Sequence, residues 1–211
     1  METGKTVKVL LALTTAAGML AGCGSKTDTD TFRFANDTDI VGMDSTVVDD
    51  AMSFNAITAI TDGLTTVDVK GNTIPGIAKS WDVSNNGLTY TFHLRDAKWA
   101  NGDDVTAQDF VYSWHRIIKN AGNYAYMLGS EGASIKNADS LINLGTAATD
   151  EQLNTLGIKA TDDKTVVVDL EKNVPYFVGL MSFPCYFPQN QKFVEKCGKK
   201  YATKPEYILG N

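Results

Sequence analysis

A chain of 211 residues, 43% hydrophobic and 21% charged, has room for one full domain or two small ones and the balance of a folded globular protein. Its formal net charge of −6 supplies no basic surface to displace counterions from phosphates, which argues against a nucleic-acid partner. Three cysteines and two histidines, with no C-x-x-C, are too few for a disulfide scaffold or a recognisable metal site.

The chain opens on METGKTVKVLLALTTAAGMLAGC. Lys5 and Lys8 precede an apolar stretch from Val9 to Ala21, shorter than a comfortable bilayer span and suited to a secretory signal. It ends in Leu20-Ala21-Gly22-Cys23, which resembles the lipobox of bacterial lipoproteins. Residues 1–22 are expected to be a signal peptide and Cys23 the site of lipidation, followed by a polar tether over 23–30.

Phe32 and Phe34 alternate with Arg33, so Thr31 to Ala35 reads as a strand. After a loop over 36–49, Phe54, Ile57 and Ile60 recur at helical spacing, with Gly63 as a stop. Leu64 to Val69 reads as a strand closed by Lys70-Gly71-Asn72, and Pro75-Gly76 marks another turn. Ser84-Asn85-Asn86-Gly87 is a turn signal. The strand after it puts Leu88, Tyr90, Phe92 and Leu94 on one side and Thr89, Thr91, His93 and Arg95 on the other.

The stretch LRDAKWANGDDVTAQDF, from 94 to 110, gathers four acids and a tryptophan. It reads as a strand-turn-helix corner. Thr106 and Asp109 have capping-box spacing, and Phe110, Val111, Trp114, Ile117 and Ile118 share one helical face. Asp103 and Asp104 precede the helix but lack the glutamate of an EF-hand loop. Further on, Tyr124 to Leu128 reads as a helical turn and 149–156 as a short helix capped by Thr149 and Gln152. Asp162-Asp163-Lys164 is a turn, Thr165 to Leu170 a β-branched strand, and Pro175 opens a helix to about Met181. Cys185 and Cys197 are either a pair or two free thiols, and their spacing favours the latter. The irregular mixture of elements predicts an α/β (mixed α+β) fold.

Two stretches carry a resemblance: DGLTTVDVKGNTIPGIAKSWDVSNNGLTYTFHLRDAKWANGDDVTAQDFVYSW, from 62 to 114, and LGIKATDDKTVVVDLEKNVPYF, from 156 to 177. Their ordered elements, G-L, P-G-x-A-x-S-W, L-T-Y-T-F-x-L-R and W-x-N-G-x-x-V-T-A-x-D-F, resemble the oligopeptide-binding family, the extracytoplasmic solute-binding lipoproteins of peptide ABC transporters (family 5). The resemblance implies a periplasmic-binding-protein-like type II flytrap, in which two lobes close on a peptide and an extra domain extends the first. By that analogy 31–61 and 190–211 belong to the first lobe, 62–189 is the inserted domain, and the second lobe is missing from what reads as an N-terminal fragment.

The same resemblance places ligand contacts at Asp49, Asp50, Ala51 and Met52, whose backbone would pair with an extended peptide, and at Tyr124, whose ring would cover it. It implies oligopeptides as ligand, ABC permease and ATPase subunits as partners, a membrane anchor through Cys23, a monomer on the outer face of the membrane, and no cofactor, metal or catalytic residue. Dipeptides, signalling peptides, nickel complexes or sugars are alternative ligands, and an adhesin an alternative role. No G-x-S-x-G or H-E-x-x-H motif supports an enzyme. If 62–189 folds as a unit, its locally consistent turns and caps should make it the well-protected region, with the 31–61 segment less so.

Overall fold

In the computed structural model, which describes residues 38–211, the chain enters through an extended segment and a turn at Ser45–Val47 before helix α1, Ala51–Thr58. The signal peptide, Cys23, the tether and the Thr31–Ala35 strand lie outside the described residues. Asp50 caps α1 by accepting from the Ser53 amide at 2.8 Å, and the helix buries Ser53, Phe54 and Ile57. It stops short of Ile60, which is exposed.

Strands β1, Thr65–Val67, and β2, Thr73–Pro75, form a small antiparallel hairpin. Its turn is closed by the Asp68 carboxylate, which accepts from the Lys70 and Asn72 amides, each at 2.8 Å. Gly71 adopts φ +84° there, a conformation that costs a glycine little. The pairing shows why the predicted strand at 64–69 is real but short. Its partner carries no sequence rhythm because all three of its residues are exposed.

The main sheet is antiparallel and four-stranded: β3, Ala78–Ser84; β4, Thr89–Leu94; β5, Ile158–Asp162; and β6, Thr165–Asp169. Their order is β3-β4-β6-β5. β4 follows the predicted alternation, burying Tyr90, Phe92 and Leu94, and β6 buries Val166 and Val168. The β3–β4 turn holds Asn85, Asn86 and Gly87 all at positive φ, which explains the asparagine-glycine run. Sequence reading misses the outer strands. β3 is an edge strand with only Ala78 buried, and β5 buries only Ile158.

Helix α2, Ala107–Lys119, packs on strands β5 and β6 with Phe110, Val111, Trp114, Ile117 and Ile118 buried as predicted. Four short helices complete the unit: α3, Ala138–Leu144; α4, Asp150–Leu153; α5, Phe177–Leu180; and α6, Gln191–Cys197. Phe177 places its ring 4.4 Å from that of Tyr90, and the Trp114 indole donates to the Tyr186 carbonyl at 3.0 Å. Thr149 and Gln152 form the predicted capping box of α4. Cys185 and Cys197 are free thiols, the first fully buried.

The acids of the corner are each engaged by the surrounding scaffold; exposed Asp96 faces Lys164 at 3.5 Å. Asp109 accepts from the Thr106 amide at 2.9 Å and, buried, from the Trp99 indole at 3.1 Å. Burial pushes the Asp109 carboxyl up, and the two donors work against that rise. Asp104 pairs with Lys98 at 2.7 Å. Asp103 accepts from the side chains of Asn101 at 2.9 Å and Asn190 at 3.2 Å.

Candidate functional site

The residues that the resemblance singles out, Asp49 to Met52 and Tyr124, are more than seventy positions apart in sequence, and the fold brings them together. Asp49 and Ala51 are exposed at the start of α1; Asp50 and Met52 are half-buried. The Asp49 carboxylate accepts from the Asn123 side chain, next to Tyr124. The Tyr124 ring meets Phe54 of α1 edge-on, with centroids 5.0 Å apart and planes at 86°, and lies 5.4 Å from Phe183. The Phe54–Tyr124 pair has the preferred T-shaped arrangement of two quadrupoles. The neighbouring Ser53 hydroxyl and amide hold Asp50 below the ordinary carboxylate range. The Ser53 hydroxyl oxygen also accepts from the Val41 and Gly42 amides, each at 3.2 Å. The loop before α1 is therefore pinned from both sides.

A buried polar network fixes how these segments meet. Arg116 of α2 grips Asp44 with both guanidinium nitrogens, at 3.1 and 2.9 Å, and donates to Gln189 at 2.6 Å. Gln189 donates back to Asp44 at 2.9 Å and to Ser45 at 3.1 Å. Asn120 donates to Thr46 at 2.7 Å, and the Arg116 guanidinium sits 5.3 Å from the centre of the Tyr201 ring. Burial opposes ionisation of Asp44, but the Arg116 fork, with Gln189 and Thr46, outweighs it and holds the carboxyl low. Gly122 lets the chains approach, since a Cβ there would stand 2.0 Å from the Thr46 carbonyl oxygen. Val48, Phe54, Ile57 and Phe187 add a small apolar cluster beneath α1.

The arrangement offers an exposed loop with backbone groups beside an aromatic wall. The Cys185 thiol is pushed well up by burial, which keeps it from acting as a nucleophile. His93 contacts Asp82 at 2.8 Å on the exposed face of the sheet. Among the described residues no three His, Cys, Asp or Glu side chains converge as metal ligands, and no helix is long and apolar enough to cross a membrane.

Residues 72–211 match the family model described as bacterial extracellular solute-binding proteins, family 5 Middle. The chain belongs to this family. Among relatives, it is 40% identical to the dipeptide-binding protein of Lactococcus lactis subsp. cremoris, a match covering 100% of this chain and 38% of that protein. It is 36% identical to the periplasmic oligopeptide-binding protein OppA of Salmonella typhimurium, over 98% of this chain and 37% of that one. The solved oligopeptide ABC transporter substrate-binding domain from Bacillus anthracis superposes with a TM-score of 0.78 at 37% identity, covering 85% of this chain and 34% of that one. Listeria monocytogenes OppA bound to peptide gives 0.73 at 37% identity, covering 81% and 32%. The chain thus spans little more than a third of the family members it matches.

Membership agrees with the mixed α/β fold expected from the sequence. Solute-binding proteins of this family are extracellular, and peptide binders recur among the relatives. Sequence reasoning does not find Asn123, Phe183 or the Asp44–Arg116–Gln189 network. Nothing in the local pattern around Asp44 or Gln189 marks them as partners of a helix residue 72 or 73 positions away.

Proposed function

We propose that the chain is part of an extracytoplasmic lipoprotein that captures oligopeptides and delivers them to an ABC permease and its ATPase. The observation that carries this reading is the junction of α1 with the 123–124 loop. Asp49 meets Asn123, and Phe54 meets Tyr124. An extended peptide would lie along residues 49–52, pairing with main-chain groups as an added strand, with Tyr124 against one of its sides. A second lobe would close over it and exclude water. In this reading residues 31–61 and 190–211 contribute to the first lobe, and 62–189 form the inserted domain. The names of the relatives support peptides as ligands.

The test is calorimetry on the product of the complete reading frame with peptides of two to five residues. Saturable binding is expected, weakened about tenfold by Tyr124→Ala. A dipeptide preference would match the Lactococcus relative; silence across the series would end the reading. The anchor is tested separately by intact mass and membrane fractionation of wild type against Cys23→Ser. An unmodified Cys23 in wild-type protein free of the membrane would refute it.

A further inference from the structure

The aromatic wall does not end at Tyr124. Two residues on, the Tyr126 ring stacks against that of Tyr124, with centroids 5.8 Å apart and planes at 29°. The rings form a ladder, from Phe54, which is 8% exposed, through half-buried Tyr124 to Tyr126, which is 43% exposed. Tyr126 sits in a single 3₁₀ turn, Ala125–Leu128, whose Ala125 and Leu128 are buried. The turn is tied down around it. The Tyr186 hydroxyl and the Ala133 amide both donate to the Met127 carbonyl, and the Gly129 amide donates to the Tyr126 carbonyl at 3.0 Å. The backbone that carries the outer ring is thus fixed, and the ring itself rests against Tyr124.

A ring stacked on one side and left with two-fifths of its surface in water, at the open end of the ladder, is a platform for another flat apolar group. Asp49, beside the inner end of the ladder, is already engaged by Asn123, and the face that the ladder presents is aromatic, which suits a ring. We infer that Tyr126 forms the outer wall of a side-chain subsite that receives an aromatic or proline ring of the bound peptide. The inference rests on the peptide-binding reading above.

The experiment is a calorimetric series on the product of the complete reading frame. The peptides are tetra-alanine and its counterparts with Phe, Pro or Lys at each position in turn. At one position wild type is expected to prefer Phe or Pro over Ala by roughly three- to tenfold, the range of an aromatic contact. Tyr126→Ala should collapse that ratio toward one, and Tyr126→Phe should keep it. The readout is the ratio between peptides, which a general weakening of the site does not move. A ratio unchanged in Tyr126→Ala, or an equal gain from Lys, overturns the assignment of Tyr126 while leaving peptide binding intact. Failure of wild type to bind any peptide of the series is a separate result, which removes both this inference and the reading beneath it.

Discussion

The sheet-and-helix layer and the junction around Arg116 are held by different physics. In the layer, Phe92, Phe110, Trp114, Val166 and Val168 have no exposed surface. Their contribution is apolar burial, which is non-directional and tolerates exchange between side chains of similar volume. In the junction, Asp44 and Arg116 keep 13% and 20% of their side-chain surface. Their contribution depends on a fork, an amide and a hydroxyl all being present at once. A layer of the first kind sets the fold; a junction of the second kind sets the angle at which two distant segments meet. The candidate site lies on the junction, so its geometry depends on the less forgiving of the two.

Substitutions test this contrast directly. Arg116→Met should have the largest effect, about 3–5 kcal/mol in urea unfolding, because it leaves the Asp44 carboxylate buried and unpaired. Arg116→Lys should also be costly, since an ammonium cannot reproduce the fork. Ile117→Leu, one residue on in the layer, should cost less than about 1.5 kcal/mol. The reverse order would break the comparison. The same pair predicts an acid limb. Asp44 has its folded pKa held below the unfolded value near 3.8, so its stabilisation is full above that value and is lost as pH falls through the folded pKa. Stability measured from pH 5 to pH 2 should fall less steeply in Asp44→Asn than in wild type.

Gly122→Ala comes next, at about 2 kcal/mol, since its Cβ must displace the Thr46 carbonyl. Far from the junction, Thr106→Ala should cost about 1 kcal/mol through the lost cap of α2 and leave peptide affinity alone. The smallest effect is expected from Asp103→Asn and Asp104→Asn. They should not change peptide affinity, and a loss with folding intact would mean that the corner does more than support the sheet.

The inner strands β4 and β6 and helix α2 were legible in the sequence because their signals are local. Alternation from Leu88 to Arg95, the Thr106–Asp109 box and the Asn85-Asn86-Gly87 turn each declare themselves within a few residues. β3, β5 and α6 were not legible, because edge strands with one buried residue and a seven-residue helix that buries only Val194 have little period to show. The candidate site was half legible. The resemblance supplied residues 49–52 and Tyr124, but the contacts that join them cross about seventy positions. The expectation that the segment before residue 62 is less protected was made without these contacts. In the structure, Asp44, Thr46 and Phe54 are tied to residues 116, 120, 124 and 187, and residues 44–58 are predicted to exchange as slowly as the layer, against that expectation.

Residues 49–52 and Tyr124 are proposed to form one side of a single peptide site. Hydrogen exchange on the product of the complete reading frame, with and without a saturating peptide, tests it most directly. The account predicts that amides of 49–54 and 123–127 gain protection together, while those of β3 and the 98–104 loop do not change. Peptide binding that leaves both segments exchanging at their original rates would contradict it.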